Sequence, residues 1–570
     1  MDSDLRRRLD RITNTLFAGG VTNPITYIEQ ISYLIYLKML DEEEDRRLLK
    51  ARLLGGDNGG NTRSLFPDQA SRYRWSKWKF KSGPELVKYV RDDVFPYMAS
   101  LVQEAPKVAM YFQDARLEVT DPNVLFQVVQ EIDHVNFSEQ GPDAKGDVFE
   151  YLLTYLSTME GALLGQFRTP RQIRSMMVEM LDPDLGETIF DPACGTGGFL
   201  VDTVEHILAR YSGDPTEVPI YGEAWLDKQG KTPAEIKAAM PNLQTYRRGP
   251  GEKIPDFAVL EGSIYGVDVS RQMMRIAMMN MVLHGVPGAH IKRGNTLSEL
   301  GGLTEDDLRR KYKVIFSNPP FAGVLPRDSI RKDLPTHSKK SELLFLAVMM
   351  HALAPGGRCA VVIPEGVLFG STKAHREMRE KLVKDFELQA VVSLPAGVFK
   401  PYAGVKTSVL VFRKPPAERL FDHKTATQKV WFYEVANDGY DPDKISGGGR
   451  VETPNENDIP GLLRQWEAYK ASGFKEPPGV EANSLLEPGS AMPKCWWAGV
   501  KRIAANDYGL SAGRYKPLVQ KERPDEDPGE LIDKLLTLEE EIQTGLLDLL
   551  RKVDPDRDLQ RQAESMPEEL

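Results

Sequence analysis

The sequence predicts an α/β protein: a doubly wound sheet with a helical N-terminal domain before it and a helical, coiled-coil-like extension after it. Three observations carry that prediction. Between about residues 165 and 415, short apolar runs of strand character alternate with amphipathic helical stretches, the pattern of strands joined by crossover helices. Before residue 160, apolar side chains recur at helical spacing. Near the end, Leu531, Leu535, Leu538, Ile542, Gly545 and Leu549 step alternately by four and three, as along a coiled-coil seam.

Taken in order, Tyr27, Ile28, Ile31, Leu34, Ile35, Leu37 and Leu40 mark one long N-terminal helix, which passes into a charged stretch at residues 41–47. Residues 55–60, four of them glycine, read as a loop. Leu125, Val128, Val129 and Ile132 predict a further helix, as do Val148, Tyr151, Leu152 and Tyr155. Strands are expected at residues 188–190, 264–267, 314–316, 359–363, 390–394 and 408–412, forming a parallel sheet. Helices are expected at 272–283 and 342–353, the second stopped by Pro355-Gly356-Gly357. Residues 212–262, rich in Pro, Gly and charge, look like an insertion between the first two strands. The expected domains are therefore 1–160 (helical), 161–415 (the sheet), 416–525 (loop-rich), 526–553 (a helix) and 554–570 (a polar, disordered tail).

Bulk properties narrow the function. A 570-residue chain with 41% hydrophobic residues and a mean hydropathy of −0.38 has the composition of a soluble globular protein. No apolar run approaches the roughly 20 residues that span a bilayer, and the first eight residues lack the apolar core of a secretion signal. Cys194, Cys359 and Cys495 have neither disulfide nor zinc spacing, so a cytoplasmic location is expected and no metal is implied. The net charge of −10 argues against a protein that coats nucleic acid by itself, because phosphate neutralisation needs clustered Lys and Arg. If DNA is the substrate, a partner supplies much of the grip.

Two segments carry chemistry. Asp191-Pro192-Ala193-Cys194-Gly195-Thr196-Gly197-Gly198-Phe199-Leu200 lies between a predicted strand and a predicted helix. Gly195, Gly197 and Gly198 allow a sharp turn and close approach of a ligand, Thr196 sits among them, and the helix N-terminus favours negative charge. The run departs from the Gly-x-Gly-x-x-Gly spacing of dinucleotide sites. It suits S-adenosylmethionine (SAM), with the methionine carboxylate at the helix end and its amino group on Asp191. Asp268, closing the second strand, is placed to hold ribose hydroxyls or to cap the following helix.

Asn318-Pro319-Pro320-Phe321 follows another strand. An aromatic amine is a poor nucleophile because its lone pair is delocalised into the ring. The Asn318 amide oxygen and the Pro319 carbonyl can each accept one amine hydrogen, which draws the nitrogen toward sp3 geometry and aims its lone pair at the methyl donor. Pro319 and Pro320 stiffen the loop, and Phe321 can stack on a base swung out of a duplex. In this order the two segments point to methyl transfer from SAM to a planar amine: adenine N6, cytosine N4, an RNA base or a protein amide. A non-catalytic scaffold is the remaining alternative. Downstream, Arg327, Arg331, Lys332, Lys339 and Lys340 form a basic stretch that either meets phosphates or is a solvated loop.

With these motifs in place, residues 5–550 resemble the modification (M) subunit of type I restriction-modification systems. The resemblance rests on Gly165-Gln166-Phe167-Arg168-Thr169-Pro170-Arg171, on the glycine segment and on Asn318 to Phe321. It implies a Rossmann-like methyltransferase fold and N6-methylation of adenine in double-stranded DNA by an adenine-specific enzyme. SAM would be held by Gln166, Phe167, Arg168, Thr169, Pro170 and Arg171, by Thr196 to Gly198, by Asp268 and by Asn295. Arg168 stands where the family has an aromatic residue, Asp268 where it commonly has Glu, and Asn295 where it often has Asp. The resemblance further implies a specificity (S) subunit, two M to one S, and a restriction (R) subunit, with the C-terminal helix as the docking element for S. No Gly-x-x-x-x-Gly-Lys-Ser/Thr loop is present, so any motor lies on another chain.

Overall fold

A computed structural model describes residues 3–53, 64–135, 151–153, 169–211, 245–246, 254–255, 257–298, 303–309, 311–321, 323–400, 404–419, 425–446, 449–520 and 528–553. The chain divides into two compact units, residues 1–483 with 493–517, and residues 484–492 with 518–570.

The first unit opens with helices α1 (Ser3–Ala18) and α2 (Pro24–Leu53). Asn23 starts α2 by accepting the Thr26 N–H on its side chain, and Pro24 takes the first helical position, where no N–H is needed. Tyr27, Ile28, Ile31, Leu34, Ile35 and Leu37 are all buried along it. Helix α3 (Pro122–Asp133) begins the same way, with Asp121 accepting the Asn123 and Val124 N–H groups. Of the helix expected around Val148 to Tyr155, only residues 151–153 are described, and the loop expected at 55–60 lies outside the described residues.

Among the described residues a ten-stranded sheet forms the centre of this unit. Its elements, in chain order with the helices that flank them, are α4 (Arg171–Leu181), β1 (Ile189–Asp191), α5 (Gly198–Tyr211), β2 (Ile264–Asp268), α6 (Arg271–Leu283), β3 (His290–Arg293), β4 (Tyr312–Ser317), α7 (Ser341–Ala352), β5 (Leu353–Pro364), α8 (Lys373–Asp385), β6 (Glu387–Ser393), β7 (Thr407–Arg413), β8 (Lys429–Glu434), α9 (Ile459–Ala471), β9 (Val480–Glu481) and β10 (Cys495–Gly499). Their order across the sheet is β9-β10-β8-β6-β7-β5-β4-β1-β2-β3. All six expected strands are present. Strand β1 lies parallel to β2 on one side and to β4 on the other, so the chain reverses direction of winding at β1. In open α/β sheets that reversal makes a crevice at the carboxyl edge.

Three features depart from the sequence expectation. The sheet is mixed, since β7 runs antiparallel to both β5 and β6. The β6–β7 connection, residues 394–406, contains no described helix to carry a parallel crossover, and the strand returns directly. The sheet also continues past residue 415. Strands β8, β9 and β10 and helix α9 belong to the stretch expected to be loop-rich. Their signal is diluted there by intervening Pro and Gly. Finally, Pro355-Gly356-Gly357 ends α7 at Ala352 but stays inside β5 as an irregularity, with Gly356 at φ +72. Of the expected insertion, a two-residue strand pair (Thr245–Tyr246 with Ile254–Pro255) and a helix (Phe257–Ser263) are described.

The N-terminal helices attach to α6 and to the turn after it. Arg275 of α6 pairs with Glu29 of α2 at 2.6 Å, both almost fully buried, and Lys107 donates to the carbonyls of Gly288 and Ala289 at 2.8 and 2.6 Å. The second unit contains a short parallel pair (Leu485–Leu486 with Leu518–Val519) and helix α10 (Pro528–Val553). No described helix is long and apolar enough to cross a membrane.

Candidate active site

The glycine segment leaves β1 and enters α5 with two residues in the left-handed region, Gly195 at φ +52 and Gly197 at φ +80. A Cβ on Gly197 would stand 3.3 Å from the Cβ of Ala277 on α6, so this glycine serves both the turn and the helix contact. Four hydrogen bonds fix the loop from outside. Gly195 N–H donates to Asp268 Oδ2 at 3.0 Å, Cys194 N–H to the Val267 carbonyl at 2.9 Å, Asn280 Nδ2 to the Thr196 carbonyl at 3.0 Å, and Thr296 Oγ1 to the Pro192 carbonyl at 3.2 Å.

The residues before α4 are tied to the same loop by Arg174. Its guanidinium forms a buried two-pronged pair with Asp202 of α5 at 3.0 and 3.0 Å and donates to the Thr169 carbonyl at 3.2 Å. Its outer carbons and nitrogen lie where a Cβ on Gly198 would go, at 3.0 Å. Thr169 is buried, Pro170 precedes the first turn of α4, and Arg171 is exposed with Glu205 at 3.4 Å. Gln166, Phe167 and Arg168 lie outside the described residues.

The two carboxylates occupy the carboxyl ends of β1 and β2. Asp191 is buried, and its Oδ1 accepts from Ala193 N–H and Ser317 Oγ, both at 3.0 Å. Burial pushes this carboxyl up to about 7 against the lowering effect of those two donors, and the Asp268 charge adds to the rise. Burial raises the Asp268 carboxyl as well, although it accepts from Ser270 N–H at 2.7 Å and from Gly195. Asp268 thus holds the glycine loop and opens the α6 turn together, while Ser270 caps α6 through Met273 N–H. Two carboxyls at neighbouring strand ends are thus both held above their ordinary range. Asn295 turns on itself, its side-chain oxygen accepting Leu297 N–H at 3.0 Å.

Asn318 to Phe321 leaves β4, the strand beside β1, with Phe190 opposite Ile315 in register. The two sequence segments therefore end at one sheet edge on neighbouring parallel strands. Phe199, one residue into α5, stacks on Phe316 with ring centroids 5.7 Å apart and planes 6° apart. Asn318 is partly buried with its amide oxygen out of solvent, Pro319 is buried, Pro320 is exposed and Phe321 is half-buried. The far side of the loop is tied down by Ser341 at the start of α7, whose hydroxyl accepts Gly323 N–H at 2.9 Å and donates to the Pro320 carbonyl at 3.3 Å. Ser317, Asn280, Arg174 and Ser341 were not singled out from sequence. Asn280 alone left a signal, as a polar residue inside the apolar run of α6.

The basic stretch after this loop splits into two roles. Arg331 turns inward, pairing with Asp333 at 2.9 and 2.7 Å and donating to the Leu303 carbonyl at 2.9 Å. Arg327, Lys339 and Lys340 remain exposed, and Val324 bridges Lys340 across the base of the loop.

Residues 140–235 and 255–525 match the N-6 DNA Methylase family, and residues 5–132 match the HsdM N-terminal domain. The chain belongs to the N-6 DNA methylase family. Among its curated relatives, the type I restriction enzyme EcoEI methylase subunit of Escherichia coli is 29% identical over 538 residues, 92% of each chain. The EcoKI methylase subunit of Escherichia coli K12 is 26% identical, covering 76% of this chain and 72% of its own. A chain solved for the complex assembly and conformational transition of the type I R-M system superposes with a TM-score of 0.65 at 26% identity, over 98% of this methylase and 99% of that chain. The modification subunit of a putative type I restriction enzyme from Vibrio vulnificus YJ016 shares the fold, with a TM-score of 0.59, 22% identity, and 87% and 93% coverage.

Of the three glycines, Gly195 faces open space, whereas Gly197 lies against Ala277 and Gly198 against Arg174, and the Asn318 loop stands on the adjacent strand. Among the described residues no cluster of His, Cys, Asp and Glu could hold a metal ion.

Proposed function

We propose that this methylase transfers the methyl group of SAM to the N6 amine of adenine in DNA as the modification subunit of a type I restriction-modification complex. The observation that carries the reading is the adjacency of β1 and β4, which sets the glycine loop and Asn318-Pro319-Pro320-Phe321 at one sheet edge.

Bound SAM would supply a methyl group on a cationic sulfur, already activated for transfer. The chain's part is binding and alignment. Gly195 to Gly198 admit the methionine end to the α5 N-terminus, Asp191 receives its amino group, and Asp268 and Asn295 flank the nucleoside. The stretch at Gln166 to Arg171 closes the cofactor side, with Thr169 held by Arg174. Across the crevice, the Asn318 amide oxygen and the Pro319 carbonyl accept the two amine hydrogens of adenine, and Phe321 stacks on the flipped base. Ser317 and Ser341 hold the two ends of that loop, so its acceptors need little reorganisation during attack.

The exposed cations Arg327, Lys339 and Lys340 are placed to meet phosphates flanking the target. Sequence reading belongs to a specificity subunit, two copies of this chain to one, with cleavage assigned to a restriction subunit. Helix α10 is the docking element, since Leu531, Leu535, Leu538, Ile542 and Leu549 are each more than a third exposed.

The test supplies methyl-labelled SAM and duplex DNA to the chain with its specificity partner, then digests the DNA to nucleosides. Label in N6-methyladenine is expected. Label in cytosine alone, or none in DNA, would contradict the assignment.

A further inference from the structure

Ser317 is fully buried, and it is the last residue of β4 before Asn318. Its side chain does not merely fill space. It donates to Asp191 Oδ1 at 3.0 Å, joining the end of the strand that carries the base-binding loop to the end of the strand that carries the glycine loop. We propose that Ser317 is a positioning residue that registers the Asn318 loop against the cofactor carboxyl, so that loading of the cofactor sets the distance between the amine acceptors and the methyl donor.

This inference rests on the methyl-transfer reading above. Both donors to Asp191 reach one oxygen, Oδ1, so a ligand amine has the second oxygen as its acceptor. Besides its two donors, the charged group acting on Asp191 is the Asp268 carboxyl at the end of the neighbouring strand, while Asp191 in turn raises the thiols of Cys194 and Cys359. Burial drives both thiols well above their ordinary range, so they stay neutral. No described Lys, Arg or His pairs with Asp191. The Ser317 hydroxyl and the Ala193 N–H are therefore what favour its charged form, and no described residue supplies a cation to it. A protonated amine arriving there would convert a neutral carboxyl to a carboxylate, releasing its proton, and a carboxylate binds the Ser317 hydroxyl more strongly than the acid does. Cofactor loading would thus tighten the bond that holds Asn318.

The linkage has a definite sign. With Asp191 raised to about 7, SAM affinity should fall as pH drops below 7, by about tenfold per unit once the carboxyl is mostly protonated. In Ser317→Ala the carboxyl loses a donor, so the midpoint of that pH dependence should move upward by roughly one unit. Single-turnover methylation at saturating SAM and DNA should slow by roughly ten- to hundredfold, while the KM for DNA stays within about twofold. Ser317→Thr, which keeps the hydroxyl, should return the midpoint to its original place.

The full-length chain is titrated with SAM by calorimetry across pH 5.5 to 9, and turnover is measured with its specificity partner present. An upward-shifted midpoint in Ser317→Ala with slowed turnover supports the proposal. An unmoved midpoint overturns it, whatever the rate, because a purely structural serine would cost stability without altering Asp191. Should Ser317→Thr be too crowded to fold, the Ser317→Ala midpoint decides alone. If the unaltered chain binds no SAM, it is the methyl-transfer reading that has failed.

Discussion

Asn318 accepts amine hydrogens in this account but holds no part of SAM. Asn318→Ala should therefore reduce methylation by at least about a hundredfold, with SAM affinity within about twofold of the parent. A variant that binds SAM normally and still methylates at full rate would remove Asn318 from its role. Arg174 is a different case, behind the glycine loop and buried in a pair with Asp202. Arg174→Ala removes the two-pronged partner of buried Asp202 and should cost about 3–5 kcal/mol of stability, read from denaturant unfolding. At the other end of α4, burial alone would raise the Asp182 carboxyl, but the His206 ring, Arg210 and Lys470 outweigh it and hold the group well below its ordinary range. A depressed folded-state pKa stabilises above the unfolded value of about 3.9 and loses that contribution as pH falls. Asp182→Asn should then lower the Tm at pH 7, and the difference from the parent should shrink below about pH 4. At this scale the sequence was legible where residue type and place coincide. Asp191 and Asp268 each close a strand and Asn318 follows one directly, and a strand end is visible in a hydropathy pattern. Ser317 and Arg174 were not legible, because a serine in a strand and an arginine on an amphipathic helix are common. Only the three-dimensional partner gives either one its meaning.

At the scale of elements, the glycine loop depends on α6 as much as on its own flexibility. Gly197→Ala meets both a positive φ and the Ala277 Cβ, and the strain, about 1–2 kcal/mol for the left-handed region alone, should weaken SAM binding by roughly tenfold or more. The segment after Phe321 is pinned by Ser341 at its base and by the Ser298–Ile330 bridge further along. Its exposed lysines are thus presented by a fixed loop. Lys339→Gln with Lys340→Gln should raise the KM for DNA by roughly three- to tenfold and reduce the salt slope of binding by about 2, leaving SAM affinity unchanged. Identical salt dependence would return this segment to a solvated loop. Strands β1, β2, β4 and β5 were readable because apolar runs alternate there with helical patterns, whereas β3 was not expected, since only one of its four residues is buried. The antiparallel β7 was hidden because an apolar strand buried on both faces looks the same in either direction. Strands β8 to β10 were missed because Pro and Gly in the stretches between them dilute their apolar signal.

For the whole molecule, the charge of −10 makes DNA binding a shared task. The isolated chain should bind duplex weakly and with little sequence preference. Leu535 and Ile542 on α10 are 65% and 59% exposed, so replacing both with Glu should leave the Tm and SAM affinity unaltered. Co-purification with a specificity subunit should be lost in the same variant, and retained assembly would assign docking elsewhere. The coiled-coil spacing announced this helix from sequence, whereas its partner came only from family resemblance.

The central claim is spatial: cofactor and amine meet between neighbouring strand ends. An experimental structure with a non-reactive SAM analogue tests it most directly. The account predicts the analogue's amino group at Asp191, its carboxylate at the α5 N-terminus beside Gly197, and its methyl-donor position facing Asn318. An analogue seated away from β1, or with its sulfur position turned from Asn318, would contradict it.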